Sequence, residues 1–294
     1  MGVTLRTRVG VAVVMVLAIA ITLGVVAAHR LGNHLSLRLP GARPCVVDGG
    51  GAEILLDADQ LANAATVAAV GISEHVPEHA IMVALATAWQ ESKLHNLAEG
   101  DRDSVGLFQQ RPSQGWGTPD QISDPRYASR KFYTALLKVK GWEAMRVTDA
   151  AQAVQRSAHP EAYEKWADKA EGLARALLGD STGAVACTID NEPSASAERG
   201  PAAADALAAR LRLDWGDRTR PQTTGDVPGL FLAVQDARVG WQYAHWLVAY
   251  AEQRGVKRVR FSDREWTAKG GSWTRVTANP EDGGRVIAEV YGDA

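Results

Sequence analysis

Glu91 stands where a side chain could hold and release a proton. It ends an apolar stripe (Ile81, Leu85, Ala88) spaced as one face of a helix, and it lies two residues beyond Trp89. A polar loop with Asp101 and Asp103 comes next, and it closes on Gly106-Leu107-Phe108-Gln109-Gln110. A carboxylic acid that protonates a leaving oxygen near neutral pH must keep its proton, so its pKa has to be raised. The end of a helix helps, because the negative end of the macrodipole disfavours a carboxylate, typically by a few tenths to about 1 kcal/mol. Burial beside Trp89 would raise the pKa further. A tenfold change in acidity takes about 1.4 kcal/mol of differential interaction, which dipole and burial together could supply. Acid catalysis at a glycosidic oxygen is the chemistry such a residue could perform. Taken alone, Glu91 is an ordinary solvated glutamate in a last helical turn; its context changes that reading.

The elements that would position it are helical. Asp57-Ala58-Asp59 begins a run through Leu61, Ala65, Ala68 and Ala69, and Pro77 suits the first turn of the helix that leads to Glu91. Asp124-Pro125, Thr148-Asp149 and Pro160-Glu161 are further start signals, the last leading to Tyr163, Trp166, Ala170 and Leu173. Trp142 and Trp166 are expected in the helical core. No strand-like alternation interrupts this stretch, so residues 57–180 are expected to form an all-α domain. Residues 31–56 read as a tether and 181–200 as a Ser/Gly/Ala-rich linker. Residues 201–294 change character. Gly229–Gln235, Lys257–Phe261 and Arg285–Tyr291 read as strands, and Val239–Arg254 as an amphipathic helix ending at Gly255. The expectation is an all-α domain followed by a small α/β domain, with an N-terminal transmembrane helix.

That last element rests on residues 1–30. Val9 to Ala28 is apolar apart from Thr22 and comes after Arg6 and Arg8. The run is long enough to span a bilayer as a helix of roughly 20 residues. It exceeds the usual apolar core of a signal peptide, about 7–15 residues, although Val26-Ala27-Ala28 would suit a signal peptidase. A retained single-pass anchor in the cell membrane, with the rest of the chain extracytoplasmic, is favoured. Secretion after cleavage is the alternative. Cys45 and Cys187 fit either, since an isolated pair in an exported chain most often forms a disulfide. Closing so long a loop would stabilise by roughly 5 kcal/mol on the chain-entropy model. Two unrelated buried thiols are the other possibility. A net charge of −2 argues against a general nucleic-acid binder. No cofactor is expected, and the oligomeric state is not readable.

Glu91-Ser92 together with Gly106-Leu107-Phe108-Gln109 resembles the Glu-Ser and Gly-Leu-Met-Gln motifs of soluble lytic transglycosylases and goose-type lysozymes. The stretch from Ala80 to Leu178 is similar to the transglycosylase-type domains of actinobacterial and phage cell-wall hydrolases, through Gln109-Gln110-Arg111-Pro112, Trp116, Ala153-Val154-Gln155-Arg156-Ser157 and Pro160-Glu161-Ala162-Tyr163. It covers roughly a third of the chain. The resemblance implies a lysozyme-like fold and peptidoglycan glycan strands as substrate. Glu91 would be general acid and then base, with Gln109 binding substrate near it. It implies an orienting part for Ser92, because nothing nearby forms a Ser-His arrangement.

Two departures bear on the product. Ala153-Val154-Gln155 stands where the family commonly has Ala-Tyr-Asn, so Gln155 would replace the asparagine and Tyr163 would supply the aromatic hydroxyl from the next helix. Goose-type lysozymes carry water-positioning aspartates after the glutamate. Asp101 and Asp103 lie in that loop at a different spacing, and Arg111 stands where another acid would fall. A lytic transglycosylase is therefore favoured over a hydrolytic muramidase, and a catalytically inactive wall-binding scaffold is the reading from another class. Trp116, between two glycines, is either a sugar platform or core packing.

Two zinc readings fail. His75-Val76-Pro77-Glu78-His79 matches an H-x-x-E-H pattern, but Pro77 interrupts the single helix that such a site needs. Trp241, Ala244, Trp246, Val256, Val259 and Trp266 resemble a C-terminal domain related to zinc D-Ala-D-Ala peptidases. There His245 is the only histidine after His159, too few for a catalytic zinc. That domain is expected to be non-catalytic, for wall or partner binding or a plain structural role.

Overall fold

Small side chains let the first two helices lie close together. Helix α1 (Ala58–Ser73) starts at Asp57, whose carboxylate accepts from the Gln60 N–H while the Gln60 side chain reaches back to the Asp57 N–H. Helix α2 (Glu78–Ser92) starts after Pro77, and from Ala80 to Trp89 only Met82 is less than fully buried. A Cβ on Gly71 would stand 2.7 Å from Ile81 Cγ1 and 2.9 Å from the Tyr133 hydroxyl, so glycine is what lets α2 and Tyr133 approach α1. Tyr133 uses that space to donate to the Val67 carbonyl at 2.8 Å.

The computed structural model describes residues 45–189, 198–223, 227–277 and 284–292. After α2 come a short helix α3 (Pro119–Ile122), α4 (Pro125–Leu136) capped by Asp124, and α5 (Val147–Gln155). Pro160 opens a 3-10 segment, Pro160–Trp166, that runs on as α6 (Ala167–Leu177). Between Asp57 and Leu178 the regular elements are helical, with two isolated bridges, Leu97 to Gly106 and Val105 to Gln110.

Strands frame this part. β1 (Cys45–Asp48), β2 (Glu53–Leu56) and β3 (Val185–Cys187) make an antiparallel sheet in the order β2-β1-β3. Cys45 pairs with Cys187 across β1 and β3, and a disulfide joins them. The second sheet has six antiparallel strands in the order β4-β5-β9-β6-β7-β8: β4 (Gln222–Thr223), β5 (Gly229–Ala233), β6 (Val256–Phe261), β7 (Arg264–Thr267), β8 (Trp273–Arg275) and β9 (Arg285–Val290). Helices α7 (Gly200–Trp215), α8 (Ala237–Ala249) and the one-turn α9 (Ala251–Arg254) complete the chain, and Gly255 in the left-handed region ends α9.

This mixed α/β architecture corrects the expected fold class, an all-α lysozyme-like domain with a small α/β domain and a membrane helix. The strands at Cys45, Glu53 and Val185 are three or four residues long, too short for alternation to stand out in the sequence, yet their burial alternates. The antiparallel sheet reaches six strands because β4, β7 and β8 add to the three that the sequence suggests. Among the described residues no helix is long and apolar enough to cross a membrane. Val9–Ala28, the expected span, lies outside them.

Helix α8 also differs from expectation. It is not amphipathic: every residue from Gly240 to Ala249 is buried, because β6 and β9 cover one side while α1, α6 and β3 cover the other. His245 lies at this seam, fully buried. Its Nε2 accepts from the Ala184 N–H at 3.0 Å and its Nδ1 donates to the Ala176 carbonyl at 2.7 Å. Burial pushes its pKa down to about 4, so the ring is neutral. Nearby, the fully buried Asp214 faces Arg126 at 3.5 Å and Arg210 at 3.4 Å and accepts from Thr66 and the Trp246 indole, both at 3.1 Å. Arg210 also donates to the Tyr250 hydroxyl. The helical and sheet-bearing parts thus share one set of buried polar contacts, and the described residues belong to one compact unit.

Candidate active site

The last turn of α2 is shaped by the two residues just past it. Lys93 and Leu94 both take left-handed backbone (φ 57° and 64°), and their N–H groups return to the Trp89 and Ala88 carbonyls. This stops the helix one residue after Glu91 and drops Leu94 into the core, fully buried. Ser92, also buried, donates to the Leu107 carbonyl at 2.7 Å, with the Ala88 carbonyl of its own helix sharing the hydrogen at 3.0 Å. It ties the end of α2 to the Gly106–Gln109 turn and thereby fixes the residue beside it.

That turn is anchored on the far side as well. Leu107 and Phe108 are fully buried, and Phe108 stacks on Phe132 at 4.9 Å. Gly106 has φ 80°, and a Cβ there would stand 2.6 Å from the Ile122 carbonyl oxygen. Gln155, the last residue of α5, donates from Nε2 to the Phe108 carbonyl at 2.9 Å and also makes a side-chain hydrogen bond to Glu91. Tyr163, fully buried in the 3-10 segment, donates its hydroxyl to Glu91 Oε1 at 2.7 Å. Glu91 therefore sits where α2, the loop, α5 and the 3-10 segment meet, half-buried.

The electrostatics arise from this setting. Burial raises the Glu91 carboxyl above the ordinary 4.5, and the Tyr163 and Gln155 hydrogen bonds and the Lys93 charge only partly offset it. The Tyr163 phenol is pushed well above its ordinary value by burial and by the neighbouring Glu91, so it stays a donor. A half-buried acid with a raised pKa, held by a permanent donor, can give a proton and take it back.

The other candidates lie at varying removes. Gln109, with φ 48°, folds onto its own loop: Nε2 donates to the Gly106 carbonyl at 3.1 Å and Oε1 accepts from the Ser104 hydroxyl at 3.1 Å. Asp103 receives the Ser113 N–H at 2.8 Å and Arg111 Nε at 2.6 Å, and the Ser113 hydroxyl and N–H first, then Arg111, hold its carboxyl well below the usual range. Asp101 is 94% exposed. Trp116 packs partly against the core, and its carbonyl accepts from the Tyr127 hydroxyl at 3.2 Å. His79 turns away from any metal role suggested by its motif, stacking on Trp142 and bonding the Met145 carbonyl at 3.0 Å.

Two neighbours of Glu91 escape a reading of the sequence. Trp166, expected in the core, is half-buried, stacks on Trp89 at 5.5 Å and donates its indole N–H to Gln90 at 2.8 Å. Lys93 lies over that indole at 4.8 Å. The Lys165-x-x-x-Lys169 spacing around Trp166 is a signal for the setting of that ring, and nothing in the sequence points to Lys93 above it. No protein-family model matches the chain, and no curated protein does.

Proposed function

We propose that this chain is a peptidoglycan lytic transglycosylase that cleaves the bond between N-acetylmuramic acid and N-acetylglucosamine, with Glu91 as acid and then base. The observation that carries the reading is the half-buried Glu91 with its raised pKa, gripped by Tyr163 in the last turn of α2. Protonated Glu91 gives its proton to the glycosidic oxygen as the C1–O bond breaks, and the acetamido oxygen of the same sugar bonds to C1. The Glu91 carboxylate then takes the proton of the C6 hydroxyl, whose oxygen displaces the acetamido group at C1. The acid is restored, no water is consumed, and the new end is a 1,6-anhydro sugar.

Asp103 favours this reaction over hydrolysis. An inverting hydrolase needs a second carboxylate to activate water, roughly 6.5–9.5 Å from the acid. Both oxygens of Asp103 are already committed, to Arg111 and Ser113. The Cys45–Cys187 disulfide supports a place of work outside the cytoplasm.

Glu91→Gln separates enzyme from scaffold. The variant should still bind glycan strands while release of soluble fragments falls by at least about a thousandfold, as expected when the proton donor is removed. Unchanged release by this variant would remove Glu91 from the reaction.

A further inference from the structure

The lysines around Trp166 form a cationic patch beside Glu91. Lys93, Lys165 and Lys169 hold their ammonium groups 4.8, 5.4 and 5.6 Å from the centre of one indole, and Lys169 also lies 5.7 Å from Trp89. The ring is fixed by its stack on Trp89 and its bond to Gln90, the residue before Glu91. All three lysines are exposed, and none makes an ion pair among the described residues. Of the carboxylates on the same stretch of chain, Glu161 and Glu164 face Arg146 at 3.5 and 3.9 Å, while Asp168 and Glu171 make no ion pair with these lysines among the described residues. Partial burial and the charge of Lys165 lower the Lys93 pKa, and Glu91 is the one carboxylate that raises it. Three ammonium groups thus gather on one aromatic plate, with Lys93 also donating to the Trp89 and Gln90 carbonyls, both at 3.3 Å.

We propose that this patch binds the carboxylates of the peptide stem carried by the glycan strand, so that the enzyme prefers peptide-bearing strands to stripped ones. The proposal rests on the glycan-cleaving reading. A stem attached to the sugar being cut would run beside Glu91, within reach of cations on the next turn and on α6. Lysine suits this task, because its flexible point charge can track carboxylates spread along a peptide rather than demanding one bidentate geometry.

The test uses peptidoglycan freed of phosphate polymers, intact or with its stems removed by an amidase. The amidase frees the lactyl carboxyl, which is then capped as its methylamide, so that the stripped form carries no new anion and differs from the intact one by the stem. The Lys165→Gln/Lys169→Gln variant should lose about tenfold in kcat/KM on peptide-bearing strands, the effect of two exposed charge pairs. On stripped strands it should stay within about twofold of wild type. Lys165→Arg/Lys169→Arg should restore the preference, and added salt should weaken it in wild type. Equal loss on both substrates, or loss on neither, overturns the proposal. Affinities measured on Glu91→Gln with peptide-bearing and peptide-free glycan give the same comparison without catalysis. A wild-type chain that cuts no glycan would thus sink the catalytic reading while the binding preference is still decided.

Discussion

The Tyr163 hydroxyl donates to Glu91 Oε1 at 2.7 Å, linking the 3-10 segment to the last turn of α2. The bond favours the carboxylate, so it opposes the effect of burial on Glu91. Without it the Glu91 pKa rises further. Glu91 acts first as an acid, and activity therefore falls as pH rises through its pKa. In Tyr163→Phe the alkaline limb of kcat/KM should move to higher pH, and the maximum should drop by about tenfold for one lost orienting bond. A pH–rate profile of both proteins on solubilised glycan checks this; an unmoved limb would mean that Tyr163 does not act on Glu91.

The raised pKa of Glu91 also has a sign in stability. The folded state holds the proton more tightly than the unfolded chain, whose value is near 4.5. Stability is then lost as pH rises from 4.5 through the folded pKa. Glu91→Gln keeps an acceptor for Tyr163 and removes this loss. Its melting temperature should exceed that of wild type at neutral pH, and the gap should close in acid below 4.5. Melting curves across the acid-to-neutral range read it directly.

Much of this site is visible in the sequence, because its parts are local signals. Asp57 and Asp124 do cap helices and the Gly106 turn does return to the Glu91-Ser92 pair, while Pro77 falls at the cap of α2 rather than in its first turn. Pairing across space is harder to see. Nothing in the sequence says that Ser92 bonds the Leu107 carbonyl, or that Gln109 folds onto Gly106 and Ser104. The sheet of β1, β2 and β3 stays hidden because strands of three or four residues show almost no period. The apolar run of α8 does not say that it is covered on both sides; that becomes evident only once the six-stranded sheet and α1 are placed together.

Asp214 predicts how the two parts are held. Removing it in Asp214→Ala leaves Arg210 without its ion-pair partner and Arg126 with Asp124 alone, and it strips the Trp246 indole N–H of its acceptor. Breaking such a buried set typically costs about 3–5 kcal/mol. The midpoint of urea unfolding should fall accordingly, and a change well under about 1 kcal/mol would mean the cluster is solvated rather than buried.

The disulfide closes a separation of 142 residues. Replacing both partners, Cys45→Ser/Cys187→Ser, should cost about 2–5 kcal/mol, much of it through the freer unfolded chain. Denaturant unfolding of the double variant beside oxidised wild type provides the measurement, and equal stability of the two would contradict it.

The central claim is the cut that Glu91 makes. Purified peptidoglycan would be digested with residues 45–294 under oxidising conditions and the released muropeptides weighed. Fragments lighter by one water than those with reducing ends are the predicted result, the mark of a C6 hydroxyl closing on C1. Fragments with ordinary reducing ends would contradict the lytic route and point to water activated by another carboxylate; no fragments at all would contradict glycan cleavage itself.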